Sequence, residues 1–347
     1  MLEADIRLHL SRLDLAADFS AGPGEVVALL GPNGVGKSTV LRALAGLLRL
    51  AGGRIELDGT VLDQPAGHVF VPPEQRAVAL MYQDYLLFPH LSALENVAFG
   101  LRARGQDRRA ARAAAAAELD RLGVGGVAAA RPGAMSGGQQ RAALARALIT
   151  EPRLLLLDEP LAALDVSTKA EVRRLLRGAL PGTRAAHLLV THDLLDAVAL
   201  ADRMLVLEHG TIVQTGTPAE VTARPRSGYV ADLTGVTLLR GTAAGPRLRV
   251  EGDAELVTTA GLTGPVLAVV PPGAVAVHRE RPETAGANLW RGEIGAVDLL
   301  GDRVRVRVEG PVAVTAEVPP AAVTGLRLDD GGPLWASIDP AAITVYR

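Results

Sequence analysis

The chain opens on alternation. Ile6, Leu8, Leu10, Leu13 and Leu15 are spaced by polar residues, the period-two pattern of a β-hairpin running from Met1 to Glu25. Val26–Leu30 is then unbroken apolar sequence, as a strand buried on both faces requires. A glycine-rich stretch follows, Gly31-Pro32-Asn33-Gly34-Val35-Gly36-Lys37-Ser38-Thr39, and Val40–Leu48 is apolar with helical spacing. Gly52–Gly59 reads as a turn and short strand. Gln106–Leu122, with five consecutive alanines, reads as a helix, and Arg131-Pro132-Gly133 breaks the chain after it. Leu154–Leu157 and His187–Val190 suit central parallel strands. Met204–Leu207 and Thr211–Val213 suit a hairpin around His209-Gly210. Strands alternating with helices up to about Leu233 predict a doubly wound α/β domain.

Beyond Gly235 the pattern changes to short valine-rich runs, such as Arg303–Val308, divided by Gly and Pro. This predicts a small all-β barrel domain. It contains an echo: Leu239-Arg240-Gly241 recurs as Trp290-Arg291-Gly292, and Pro265–Pro272 resembles Pro333–Pro340. The match runs on through Ala274/Ala342, Val277/Val345 and Arg279/Arg347, which predicts two related β units.

Composition narrows the class. A chain of 347 residues suits two domains, and 48% hydrophobic content supports a substantial core packed from Leu, Val and Ala, since aromatics are only 3%. The net charge of −2 argues against nucleic acid as a partner. With no cysteine, disulfides and thiolate chemistry are excluded. Met1–Asp5 lacks the basic and apolar regions of a signal peptide, and no apolar run reaches the roughly 18 residues of a membrane span. Any membrane connection is therefore expected to run through a partner.

The stretch at Gly31–Thr39 has the context of a phosphate-binding loop, between strand and helix. Its glycines let backbone N–H groups converge on phosphate oxygens, and the helix N-terminus adds partial positive charge. Lys37 can reach the β- and γ-phosphates, and the Ser38 hydroxyl can ligate Mg²⁺. Leu157-Asp158-Glu159-Pro160 ends an apolar strand on two carboxylates. Alone, such a pair is often a solvated loop. Combined with Lys37, Asp158 reads as a Mg²⁺ ligand and Glu159 as the base for an attacking water. Met135-Ser136-Gly137-Gly138-Gln139-Gln140-Arg141 enters a further helix, Gln139–Ile149, through an anion-friendly Ser-Gly-Gly.

With these three motifs in this order, the α/β part resembles the ATP-binding-cassette ATPases of importer type, P-loop nucleoside triphosphatases with a helical subdomain. Two further matches are Leu161-Ala162-Ala163-Leu164-Asp165, which resembles the loop after the acidic strand, and Thr191-His192-Asp193, which resembles the switch-histidine motif. The resemblance implies a cassette over 1–235, its helical subdomain at about 84–150, and a homodimer closing head to tail around two ATP. Gly31, Pro32, Asn33, Gly34, Gly36, Lys37, Ser38 and Thr39 would hold one nucleotide. Ser136, Gly137, Gly138, Gln139 and Asp165 of the facing chain would meet it. His192 would contact the γ-phosphate, and Gln83 would touch Mg²⁺ and the attacking water. The segment from Gln83 to Val97 resembles the family's coupling region. There Tyr85, Leu87 and Phe88 would line a groove for integral membrane permease subunits, while Leu94 and Val97 read as core. The resemblance also implies an extracytoplasmic substrate-binding protein as an indirect partner, and a peripheral position on the cytoplasmic face of the membrane. One departure stands out: where relatives stack adenine on an aromatic, Leu10–Ala17 has none, so GTP is expected to be accepted too. The other histidines, His9, His68, His187, His209 and His278, show no metal-ligand spacing.

The tail, 236–347, resembles the transport-associated OB-type domain. Its part from about 286 is most similar to the molybdate-binding version, through Asn288–Ile294 and Ala342–Tyr346. Ser337-Ile338-Asp339-Pro340 departs from the lysine and threonine of relatives, so no anion ligands are assigned. The expected function is the ATPase of a molybdate-type oxyanion importer, with sulfate, sugar, polyamine or iron as variants. A soluble repair or translation ATPase is the competing class. It fits poorly, because such chains carry two cassettes or a long coiled-coil insert, and only about a hundred residues separate Ser38 from Ser136.

Overall fold

The computed structural model describes residues 1–10, 13–135, 138–162, 164–180, 182–283, 288–328 and 331–347. Contacts divide the chain into two units, Met1–Val221 and Thr222–Arg347.

In the first unit the opening alternation becomes a hairpin, β1 (Leu2–Leu10) and β2 (Leu13–Ala21), with its apolar positions buried on one face. Next come β3 (Val26–Leu30), helix α1 (Lys37–Leu44), β4 (Gly52–Leu57), β5 (Thr60–Gln64), β6 (Val69–Phe70) and β7 (Val78–Met81). The helical segment holds α2 (Ala93–Ala103), α3 (Arg108–Arg121) and α4 (Gln139–Leu148). Then follow β8 (Leu154–Asp158), α5 (Val166–Ala179), β9 (Ala186–Val190), α6 (Leu194–Leu200), β10 (Arg203–Glu208), β11 (Thr211–Gly216) and the short α7 (Pro218–Ala223). Among the described residues, eleven strands form one sheet in the order β6-β5-β4-β1-β2-β11-β10-β3-β9-β8-β7. From β10 to β7 the neighbours are parallel.

Sequence explains most of these elements. All five residues of β3 are buried, as are Leu154–Leu157 of β8, and each such leucine contributes on the order of 2 kcal/mol of burial. The alanine-rich helix is shorter than its sequence pattern by a residue or two at each end, because the Asp107 carboxylate caps it by accepting from the Arg109 and Ala110 amides. Conversely, α1 starts three residues before the apolar run, at Lys37. One face of the sheet packs on α1 and the inner face of the hairpin, the other on α2, α3, α4 and α5. Val97 is wholly buried in the second of these cores, and Leu94 packs partly buried against it.

The second unit begins with α8 (Gly228–Thr234) and is otherwise β. Its strands are β12 (Thr237–Ala244), β13 (Arg247–Val250), β14 (Glu255–Val257), β15 (Thr263–Val270) and β16 (Val275–His278). They are followed by β17 (Asn288–Leu300), β18 (Arg303–Glu309), β19 (Val314–Val318), a single helical turn α9 (Ala322–Gly325), β20 (Pro333–Ile338) and β21 (Thr344–Tyr346). Two five-stranded sheets result, β14-β13-β12-β15-β21 and β16-β20-β17-β18-β19. Matched by the sequence echo, the two orders are the same, except that the repeats exchange their last strands. β21 pairs with β15 of the first repeat and β16 with β20 of the second. Both sheets contribute to one apolar core.

Two predictions follow from this packing. Ending the chain at Ala342 removes β21, so amide exchange should rise at Leu267, Ala268 and Val269, in the other repeat. Unchanged protection there by hydrogen-exchange mass spectrometry would contradict the strand exchange. The second concerns His187, which is fully buried in β9, its Nε2 2.8 Å from Thr183 Oγ1 and its Nδ1 3.3 Å from the Glu25 carbonyl oxygen. Burial pushes its pKa below the usual range, so the folded state holds it neutral. The unfolded chain takes up a proton near pH 6.5, so this group subtracts stability as pH falls below that value, by up to about 1.4 kcal/mol per pH unit. Denaturant midpoints at pH 7.5 and 5.5 should therefore diverge less in His187→Gln than in the unmodified chain, and equal divergence would mean that His187 titrates normally when folded.

Candidate functional site

The parallel order β3-β9-β8-β7 sets the carboxyl ends of four adjacent strands in a row, spanning about 14 Å at the usual strand spacing. Each of these ends releases a segment singled out from sequence. β3 leads into Gly31–Thr39, β9 into Thr191-His192-Asp193, β8 ends on Asp158 with Glu159 next, and β7 leads into Gln83. In open α/β sheets this edge is where ligands bind.

The loop itself is held by steric constraint. A Cβ on Gly31 would lie 2.2 Å from the Leu207 carbonyl oxygen, and Gly36, at φ 110°, would press one to 2.9 Å from a Leu13 methyl. Glycine alone lets the loop run this close to its neighbours. Lys37 is 7% exposed, and its Nζ donates to the Gly31 and Pro32 carbonyls at 2.7 and 2.9 Å. Burial pushes its pKa down while the Glu159 and Asp158 carboxylates pull it up. Ser38 Oγ donates to Asp158 Oδ1 at 3.4 Å. Burial raises the Asp158 pKa, against the Ser38 hydrogen bond, and the neighbouring Glu159 charge adds to the rise.

Glu159 leaves β8 in the left-handed region, φ 46°, with its amide donating to the Val190 carbonyl at 2.9 Å. Its Oε2 lies 3.1 Å from His192 Nδ1. Thr191, buried, accepts from the Asp193 amide, and Asp193 in turn accepts from the Leu195 amide, so the His192 loop is tied into the start of α6. Lys37, Ser38, Asp158, Glu159 and His192 are thus brought together, with Gln83 at the adjacent strand end. An ammonium, a hydroxyl, two carboxylates and an imidazole converging beside a glycine loop can bind a polyphosphate and activate water.

Of the other expected residues, Gly138, Gln139 and Asp165 belong to the starts of α4 and α5. Ser136 and Gly137 fall outside the described residues, as does Ala163. Gly138 is the N-cap of α4 and Gln139 its first residue, and no hydrogen bond joins either to the phosphate loop. Asp165 caps α5, accepting from the Ser167 hydroxyl and from the Thr168 hydroxyl and amide, and those bonds, the Ser167 one foremost, hold its pKa well below the usual carboxylate range.

Sequence reading missed four supports. Arg76 is buried, and its guanidinium donates to the Ala43 and Leu44 carbonyls at 2.9 and 2.8 Å, so a cation sits at the negative end of α1, the helix whose other end carries the loop. Buried Gln140 donates from its side chain to the Pro160 carbonyl, joining the first turn of α4 to the residue after Glu159. Arg173 pairs with buried Asp196 at 3.0 Å, bracing α5 against α6. Arg146 is the fourth. Its one sequence signal is a charge within the apolar run Ala142–Leu148; the others carry none, because their partners lie 20 residues or more away in the chain.

Comparison with known proteins agrees with this geometry. The family described as ABC transporter matches residues 16–162, and that described as TOBE domain matches residues 284–345. The molybdenum import ATP-binding protein ModC of Mycobacterium tuberculosis is 41% identical over 361 aligned residues, covering 100% of this chain and 98% of its own. A sulfate/thiosulfate import ATP-binding protein, CysA of Burkholderia mallei, is 39% identical, covering 96% and 94%. An Fe(3+) ions import ATP-binding protein of Rhizobium meliloti is 38% identical, covering 88% and 85%. The ABC transporter match, together with 41% identity over the whole chain to an import ATP-binding protein, means that the chain belongs to the ABC transporter family, as an ATP-hydrolysing importer subunit with a C-terminal TOBE domain.

Proposed function

We propose that this ATPase drives molybdate import, and that the residues at the strand ends divide the chemistry as follows. Lys37 and the loop amides bind the β- and γ-phosphates. Glu159 takes the proton of the water that attacks the γ-phosphorus, and His192, 3.1 Å from that carboxylate, contacts the γ-phosphate. Gln83 orients the water. Ser38, Asp158 and Gln83 offer oxygen donors only, the set that suits Mg²⁺, and Ser38 and Asp158 already lie in hydrogen-bonding contact. When bound there, the dication would neutralise charge on the phosphates. The observation that carries the catalytic reading is the convergence of Lys37, Ser38, Asp158, Glu159 and His192 on one sheet edge.

Two copies close head to tail, with Ser136, Gly137, Gly138, Gln139 and Asp165 of one facing the nucleotide of the other. ATP binding closes the dimer and turns membrane permease subunits outward, and hydrolysis resets them. Among the described residues no helix is long and apolar enough to cross a membrane, so contact with the bilayer would pass through those subunits from the cytoplasmic side. Phe99, 45% exposed, stands beside Tyr85, Leu87 and Phe88 as the apolar face offered to them. An extracytoplasmic binding protein would deliver cargo. Molybdate is favoured by identity over the whole chain, tail included. Sulfate is the second reading, on the 39% relative that covers 96% of the chain.

Glu159→Gln should leave ATP affinity within a few-fold and lower kcat by on the order of 10² to 10⁴. Phosphate release and nucleotide titration measure the two quantities, and a near-normal kcat would remove Glu159 as the base. For cargo, cells lacking the chain should show a molybdenum deficit by elemental mass spectrometry in trace-molybdate medium, reversed by excess molybdate. Normal molybdenum with a sulfur deficit would establish the second reading instead.

A further inference from the structure

Tyr85 and Leu86, two successive residues that carry a Cβ, both lie in the left-handed region, at φ 60° and 42°. Each is unfavourable there and persists only where surrounding structure imposes it. Leu86 is 54% exposed, so apolar burial does not impose it. The local chain adds only the Tyr85 amide donating to the Tyr82 carbonyl at 2.9 Å and the Leu86 amide donating to the Asp84 carbonyl at 2.6 Å.

The restraint comes from α4. Arg146 Nη1 donates to the Leu86 carbonyl at 2.8 Å and Nη2 to the Tyr85 carbonyl at 2.9 Å, one prong of the fork to each strained residue. The same guanidinium lies 5.6 Å from the centre of the Phe88 ring. Among the described residues no carboxylate pairs with it. A second anchor holds the far side. Buried Asn96 of α2 accepts from the Phe88 amide at 2.7 Å and donates to the carbonyls of Phe88, Leu91 and Ser92. Beside these two polar anchors, Tyr85 and Leu87 pack partly buried against the apolar core, and the left-handed turn lies between Gln83 and the Asn96 anchor.

We propose that Arg146 is a positioning residue for hydrolysis: it holds the Tyr85–Leu86 turn in its left-handed form and so fixes Gln83 at the carboxyl end of β7. This rests on the reading of Gln83 as the residue that orients water. Since Arg146 lies on the helix that begins at Gln139, a displacement of α4 alters both hydrogen bonds at once and moves Gln83 with them. The planar guanidinium fork presents its two N–H groups in one fixed geometry, so the two successive carbonyls are held in a set relation to each other.

Glycine adopts positive φ without penalty, so Leu86→Gly removes the Leu86 share of the strain that Arg146 counters. The test is steady-state ATP hydrolysis by the full-length chain carrying Arg146→Ala, Leu86→Gly, or both, with Gln83→Ala alongside. Arg146→Ala should lower kcat by about tenfold to a hundredfold, as for a misplaced reacting group, with KM for ATP changed less than about threefold. Leu86→Gly alone should stay within about twofold of the unmodified chain, and added to Arg146→Ala it should restore most of the lost kcat. A residue needed only for folding would not give a kcat loss at constant KM that glycine reverses. If Arg146→Ala does not fold, Arg146→Lys carries the same comparison with a smaller loss. Normal kcat in the arginine variant, or no recovery in the double variant, overturns the clamp. Normal kcat in Gln83→Ala overturns the reading of Gln83 beneath it, and the two failures are read from different variants.

Discussion

Parallel pairing of β3, β9, β8 and β7 is the constraint on which the site depends. In a parallel ladder the strands run the same way, so whatever follows each strand emerges at the same edge. The sequence need only end four parallel strands correctly for a glycine loop, a histidine and two carboxylates to meet, with a glutamine at the adjacent strand end. The pairings Leu29↔Val190, Asp158↔Val190 and Met81↔Leu157 fix the depth at which each segment leaves the sheet. A slip of one residue at β8 would turn the Asp158 side chain to the other face of the sheet. The four leucines of β8, wholly buried on both faces, oppose that slip.

Electrostatics at this edge follow from the same burial. Lys37 and Asp158 are both driven toward their neutral forms by desolvation, and each is drawn back by the other's charge. A polyphosphate brought to Lys37 and a dication brought to Asp158 would each replace lost hydration with an opposite charge. Behind this edge, Arg76 puts a buried cation at the far end of α1, so the dipole of that helix is supported at one end and available at the other.

Much of this was legible in the sequence, and the division between legible and hidden is physical. The strands, the loop and the carboxylate pair are local patterns of burial and turn chemistry, so periodicity and glycine spacing expose them. The repeat in the tail was legible as an echo of Leu239–Gly241 in Trp290–Gly292. Its strand exchange was not, because β16 and β21 suit either sheet equally well by sequence and only the path of the chain assigns them. Arg76, Gln140, Arg146 and Arg173 were hidden for a related reason. Each serves a backbone or carboxylate distant in sequence, and an arginine on paper is a solvated surface residue until the fold buries it.

The remaining feature is where the structure accepts backbone strain. Glu159, Tyr85 and Leu86 all take positive φ without being glycine, and all lie within a few residues of the carboxyl ends of β8 and β7. Strained conformations survive only if neighbours hold them, and here the holders come from different layers. The Val190 carbonyl of β9 accepts from the Glu159 amide, whereas the α4 side chain of Arg146 donates to the Tyr85 and Leu86 carbonyls. Glu159 is therefore held by the sheet, which is closely packed and has one arrangement. The turn after Gln83 is held by a helix through two hydrogen bonds and a solvent-exposed leucine, a restraint that a small movement can break. If Glu159 is the base and Gln83 orients the water, as proposed, a base fixed by the sheet would stand beside a group whose position depends on a helix.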